Sequence, residues 1–403
     1  MLALRLARGT RPLAALRRLM VATASAGVGF LLLTALGHAS VPQLLWCAVP
    51  ILATVHLAVA VARTDPSARP SPGLASAGFG PVRVPVLAAL STALTCLLGS
   101  AVALLAFLHL RGGVGLLSHL PYAGEAARLL GGTPPNAAAV PPVGALTLLI
   151  SLPLVAAAAS AVSLRPRRAL PGSAAESAAA EAAARATTLR GQAAAPGVPA
   201  PSDLPWGTAL VATGLALGAY AGEFADQGKL MKLTLPFGIG HASPPVVASW
   251  GVIAIGLVLA GPGLTHLCGR VLSALRPGPL RLLAGRVLQE ESRRIGRPLG
   301  ALCAVLAGIL VALTLPEQAS GRVALGPITA LGAGLVVACA VATVVTASLE
   351  TKKAREHTTA ALLRLGASPR VLRGAAALRA AALLTVFAPL SALVAQLAAL
   401  PLR

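Results

Sequence analysis

The sequence predicts an all-α fold: a polytopic helical membrane protein with nine transmembrane helices and a cytoplasmic N-terminus. Three observations predict it. Apolar residues make up 56% of the 403 positions and charged residues only 11%, whereas a soluble domain carries about a quarter charged residues. The apolar residues gather in runs close to the ~20 that a helix needs to cross a bilayer core. The net charge of +21 lies between those runs and on alternate sides of them, as the positive-inside rule requires. A soluble enzyme and a disordered chain are excluded by the apolar content. The base excess does not point to nucleic acid, because aromatics at 3% leave few platforms for stacking bases.

The runs are Leu19–Gly37, Leu44–Ala62, Val84–Leu108, Val143–Leu164, Trp206–Gly222, Val246–Cys268, Leu299–Leu315, Pro327–Leu349 and Ala380–Pro401, and none contains Asp, Glu, Lys or Arg. The N-terminus and the segments after the second, fourth, sixth and eighth runs hold 27 of the 33 Lys and Arg; the other side holds 6. That alternation puts the N-terminus inside and, with nine spans, the C-terminus outside. Arg5, Arg8, Arg11, Arg17 and Arg18 precede the first run. It is too long for a signal peptide and no small-residue cleavage site follows it, so it is expected to be a retained span.

A repeat emerges in the segments assigned to the inside. Gly78-Phe79-Gly80-Pro81 precedes the third run, and Gly366-Ala367-Ser368-Pro369 precedes the ninth, 288 positions later. Arg5 and Arg286, 281 apart, sit in similar Ala/Leu/Arg text before the first and seventh runs. The starts of the first and seventh runs differ by 280, and those of the second and eighth by 283. Both units begin inside, so they are parallel and not the inverted repeats of many secondary transporters. The division expected is a four-span unit at 1–164, an Ala/Pro-rich cytoplasmic linker at 165–205, a linking pair of spans at 206–268, and a three-span unit at 269–403.

The chemistry a solute-coupled carrier needs is missing from the spans. Proton and ion relays keep ionisable groups in the membrane, and here only His56 and His266 fall within runs. They are expected to be packed or interfacial. Cys47, Cys96, Cys268, Cys303 and Cys339 form no CxxC pair, so they read as buried small hydrophobes with no metal or disulfide role. Gly222 to Lys229 has the wrong spacing for a phosphate loop and Leu230 where Ser or Thr is needed. His109 and His119 lack the one-turn spacing of a helical metal pair, and Glu223, Asp226, Lys229 and Lys232 read as a solvated loop face. No catalytic residue, cofactor or metal site is expected, so the chain is not read as an enzyme.

Two patterns carry structure. Gly214, Gly218 and Gly222 stand four apart, about one helical turn, and make a smooth stripe for close packing within the chain. Glu350, Lys352, Lys353, Arg355 and Glu356 extend the eighth span as a polar helix, followed by an apolar face at Ala360, Ala361, Leu363 and Leu365. Gly366 is placed to end that helix in the left-handed conformation. Ser368 suits the N-cap of the next helix and Pro369 its first position. This elbow can pass force from a cytoplasmic partner to two spans, or rest on anionic lipid through Arg364, Arg370, Arg373 and Arg379. The segment 269–298, with Glu290 and Glu291 among seven arginines, reads as an interfacial elbow helix entering the seventh span.

The stretch Glu350-Thr351-Lys352-Lys353-Ala354-Arg355-Glu356 followed by Leu363-Arg364-Leu365-Gly366-Ala367-Ser368-Pro369-Arg370 resembles the FtsX-like permease family, the membrane subunits of a class of ABC transporters. Gly78, Gly80, Pro81 and Arg83 look like a second, weaker copy of the break. The layout is similar to the long actinobacterial members with two repeated units, except that the second unit lacks its last span and no large outer domain is present. The resemblance implies a cytoplasmic ATP-binding partner subunit docking on 350–370 and more weakly on 63–83. It implies movement or extraction of a lipid, lipoprotein or amphipathic peptide, in a bacterial cell membrane. The Arg-, Ala- and Gly-rich composition fits such a source. The alternative is a degenerate membrane scaffold or sensor that transports nothing; a membrane enzyme acting on lipid ranks last, because no interfacial cluster of acids or histidines is present.

Overall fold

A computed structural model of the chain describes residues 12–37, 46–64, 83–110, 142–164, 201–226, 233–234, 241–274, 278–314, 327–364, 366 and 368–400. Its helices are α1 Pro12–Gly37, α2 Ala48–Thr64, α3 Arg83–Leu110, α4 Pro142–Leu164, α5 Asp203–Asp226, α6 Pro244–Ala274, α7 Pro279–Thr314, α8 Pro327–Ala354, α9 Glu356–Arg364 and α10 Pro369–Ala399. Among the described residues the remaining regular structure is one antiparallel pair, β1 Leu233–Thr234 with β2 His241–Ala242.

Eight of these helices are long and apolar enough to cross a membrane, and α2 is a shorter apolar helix. The chain is a multi-pass helical membrane protein. Nearly all the described residues of each apolar run lie in a helix of its own; Trp46 and Cys47 precede α2 and Leu400 follows α10. The helices extend past the runs because flanking polar residues continue the backbone ladder. The largest difference from expectation is α7. It is one helix of 36 residues with Pro298 inside it, where the sequence suggested an interfacial helix and then a span. Interior prolines also occur at Pro153, Pro262 and Pro389; membrane helices tolerate them because neighbouring helices and local adjustments re-satisfy the freed groups.

The helices pack in two groups. In the first, α1 to α4 lie on one another and α8 lies against α2 and α1; Val21, Leu57, Ala58, Cys96, Ala156 and Cys339 form a buried cluster there. In the second, α5, α6, α7 and α10 surround Ile253, Leu257, Cys303, Val311, Phe387 and Val394. Helix α7 touches both groups, packing on α6, α10 and α8. The pair expected to link two units, α5 and α6, therefore lies within the second group beside α7.

Lipid tails are as apolar as leucine, so the packing force between these helices is close dispersion contact. Small residues provide it. A methyl group on Gly99 of α3 would collide with Ser25 and with the Ala22 carbonyl of α1. Along α6 and α7, Gly261 meets Gly296, Gly269 meets Gly285, and Gly300 meets the Leu257 carbonyl. The outward faces are apolar instead: α3 exposes Val86, Leu90, Leu94, Leu98, Val102 and Leu105, a one-turn stripe suited to acyl chains.

Hydroxyl groups mostly return to their own helix, as Ser160 Oγ does to the Ala156 carbonyl at 2.7 Å. A few cross between helices. Ser25 Oγ donates to the Cys96 carbonyl at 3.2 Å and Ser100 Oγ to the Leu149 carbonyl at 3.4 Å. Cys303 Sγ approaches the Phe387 carbonyl at 3.9 Å, and Thr54 Oγ1 lies 3.8 Å from Cys339 Sγ.

Candidate functional site

The elbow lies between α8 and α10. Helix α8 carries Glu350, Lys352 and Lys353 in its last turn, with both lysines exposed. Base at a helix C-terminus complements its dipole. The helix then breaks at Arg355, earlier than the sequence suggested. Arg355 N–H donates to the Lys352 carbonyl at 3.2 Å, and Thr359 N–H to the Arg355 carbonyl at 2.8 Å. Helix α9 opens with Glu356 and closes with Arg364, which again matches the dipole.

Gly366 ends this helix with φ +92°, a conformation that glycine adopts without the Cβ penalty. Its N–H donates to the Leu363 carbonyl at 3.1 Å. Ser368 is the N-cap of α10 in an extended conformation, its Oγ accepting from Val371 N–H at 3.4 Å, and Pro369 takes the first helical position. The break therefore has the local chemistry its residues predict. Leu365 and Ala367 lie outside the described residues.

Among the described residues, the packing of α9 is chiefly against α8. Ala360, Ala361 and Arg364 are exposed, Leu363 is 44% exposed, and Arg370 is exposed on the first turn of α10. A short, projecting, mixed apolar and basic surface therefore stands between two long membrane helices.

The elbow is tied to the bundle by charge. Arg355 Nη2 pairs with Glu291 Oε1 of α7. The other carboxylate oxygen, Glu291 Oε2, lies 3.6 Å from Arg379 Nη1 of α10. The Glu291 side chain is only 12% exposed, so it is a buried carboxylate with a cation on each oxygen. Burial lowers the pKa of Arg355 from its ordinary value, and the charges of Glu291 and Glu290 pull it back up. An exposed pair, Arg297 with Asp203 at 3.5 Å, joins α7 to the start of α5.

The sequence treated Glu291 as one of several interfacial charges and missed this junction. A signal was present in the helical phase. Ala284 and Leu288 stand seven and three residues before Glu291, on one buried face of α7, at 0% and 1% exposure. Glu290 is off that face.

Of the second, weaker elbow, Gly78, Gly80 and Pro81 lie outside the described residues, and Arg83 is the first residue of α3. The linker at 165–200 and the loop 111–141 lie outside them too. The glycine stripe of α5 faces α6: a methyl on Gly214 would sit 2.7 Å from Ile253 Cγ1 and 3.0 Å from the Ser249 carbonyl. Gly218 and Gly222 are buried on the same side. Gly207, which the sequence reading did not single out, extends the stripe to Ala260. His266 is buried and His56 exposed. All five cysteines are buried and unpaired. Among the described residues no group of three or more His, Cys, Asp or Glu is placed to hold a metal.

Comparison with protein-family models, with curated proteins and with solved structures gives no match to this chain.

Proposed function

We propose that the chain is the membrane-spanning permease subunit of an ABC transporter in a bacterial cell membrane. It crosses the membrane nine times from a cytoplasmic N-terminus and has no catalytic site of its own. A separate cytoplasmic ATP-binding subunit docks on the α8–α9–α10 elbow, and its ATP-driven closure moves the spans so that a lipid, lipoprotein or amphipathic peptide is moved or extracted. The observation that carries this reading is the elbow itself: an exposed nine-residue helix, set off by Arg355 and Gly366, lying in the chain between two long membrane helices and resembling the family motif. The segment 63–83 serves as a second, weaker docking point.

The packing supports the two-unit layout that goes with it. Thr54 and Cys339 meet across α2 and α8, the second and eighth spans, whose starts are 283 positions apart. Two parallel units related by an axis along the membrane normal bring equivalent helices together where they meet on that axis. Ser25 with Cys96 and Cys303 with Phe387 join the same pair of helices in each unit, side chain to carbonyl, at residue offsets of 278 and 291 that fall outside the repeat's 280–288 register.

The test is affinity purification of the chain from its own membranes in mild detergent, with mass spectrometry of what accompanies it. A stoichiometric ATP-binding subunit, lost when Leu363, Arg364 and Gly366 are replaced by Asp, is the expected result. A chain that purifies alone in several detergents removes the permease reading and leaves the scaffold or sensor.

A further inference from the structure

We infer that Glu291 is a positioning residue for the elbow: its one carboxylate holds the α8–α9 junction through Arg355 and binds it to α10 through Arg379. The inference rests on the docking role proposed for α9 and names the device that would carry its motion into the membrane helices.

Helix α9 has no extended packing except on α8, so its direction depends on the hinge at Arg355, where the helix is interrupted. The side chain of that hinge residue is held from α7. Of the Glu291 oxygens, Oε1 takes Arg355 and Oε2 takes Arg379. Arg379 is itself steadied by its Nε donating to the Ala375 carbonyl of its own helix at 3.3 Å. The side chains of Arg355 and Arg379 are 24% and 21% exposed, so water screens them only in part. Take the carboxylate charge away and the two guanidiniums lose the anion they share. The Glu291 charge therefore helps to hold the hinge against α7 and α10.

The helices on the receiving side are suited to act as a body. Helix α7 is locked to α6 by the Gly261–Gly296 and Gly269–Gly285 approaches and packs on α10. A push on α9 would reach α10 directly along the chain through Gly366, and α7 and α6 through Glu291. Without the carboxylate, the hinge residue loses its direct tie to α7, and α7 is reached only through its packing on α8 and α10.

The experiment uses the full chain in lipid nanodiscs, followed by hydrogen exchange with mass spectrometry, and needs no ATPase. Glu291→Gln should raise exchange of the amides of 356–364 at least fivefold and leave α5 and α6 unchanged. Glu291→Asp, which keeps the charge, should restore part of the protection. Arg297→Gln, which removes an exposed charge of α7 paired with Asp203 and away from the elbow, should leave exchange of 356–364 unchanged. Should Glu291→Gln fold poorly, Arg355→Gln serves instead, with the same local loss of protection expected. Unchanged exchange in α9, or a rise spread equally over α5 and α6, would overturn the positioning role. Its failure is separable from that of the permease reading. Loss of protection in α9 with no ATPase partner found keeps the tie and removes the permease; a partner found with protection unchanged removes the tie and keeps the permease.

Discussion

Helices α1 and α3, and again α7 and α10, are joined by a small polar side chain on the first helix reaching a backbone carbonyl on the other. Ser25 reaches Cys96 over 71 positions of chain, and Cys303 reaches Phe387 over 84. Around that common contact the two regions are built differently. The α1–α3 seam is closed by backbone: Gly99 lies against the Ala22 carbonyl. The α7–α10 seam is closed by side chains such as Phe387 and Val394, and α7 spends its glycines on α6. The second region also carries Glu291 with its two arginines at the end nearest the elbow, whereas the 280-residue offset sets Arg11 opposite Glu291 in the first. Two regions can share a kind of contact and still differ in how charge is placed at their ends.

The difference in seams predicts the largest effect. Gly99→Ala puts a methyl against a carbonyl that cannot rotate away, and overpacking of this kind costs about 1–3 kcal/mol or more. Gly374 of α10 is the counter-case. A methyl there meets Leu280 Cδ1 at 3.1 Å, the flexible end of a side chain, so Gly374→Ala should cost well under ~1 kcal/mol by the same principle. Thermal unfolding of the purified variants in detergent measures both. Equal losses would mean that the α10 side of the second region is closed as tightly as the first and that the contrast drawn above is wrong.

The shared contact predicts a smaller and matched effect. Hydrogen bonds between membrane helices average about 0.6 kcal/mol, because the separated helices find other partners. Ser25→Ala and Cys303→Ala should therefore each lower stability by roughly that amount, and Cys303→Ser should lose little. A loss of several kcal/mol in one and none in the other would break the correspondence between the regions.

The parts of this molecule that were legible in the sequence are those whose cause is local. Each span is a run of apolar residues that needs no distant partner to be recognised. Gly366, Ser368 and Pro369 determine their own break, because a left-handed residue, an N-cap and a proline at the first helical position act within one turn. The stripe Gly214, Gly218 and Gly222 is likewise periodic, although its partner α6 was not evident. What stayed hidden depends on residues far apart in the chain. Glu291, Arg355 and Arg379 come from three helices, and nothing in the text around Glu291 distinguishes it from Glu290 except its phase on α7. The unbroken course of α7 through Pro298 was hidden for the same reason: Gly296 and Gly300 on either side of the proline lie against α6, and that helix had to be in place for the meaning of the glycines to emerge.

The smallest energetic effect belongs to the sharpest test of the correspondence. Thr54 and Cys339 are buried, at 0% and 2% exposure, and their side-chain heteroatoms are 3.8 Å apart. Thr54→Cys exchanges two groups of similar size, so stability should hardly change. It does, however, create a thiol facing Cys339. A disulfide needs an S–S separation of about 2 Å, reachable here by small rotamer changes. With a protease site introduced in the linker 165–205, mild oxidant should leave the two fragments joined under non-reducing conditions and separate on reduction. Cys339→Ala in the same background should abolish the link. Fragments that separate without reductant would place Thr54 and Cys339 apart in the membrane. The meeting of α2 with α8, equivalent spans in the proposed repeat, would then be lost, and with it the strongest packing argument for two parallel units.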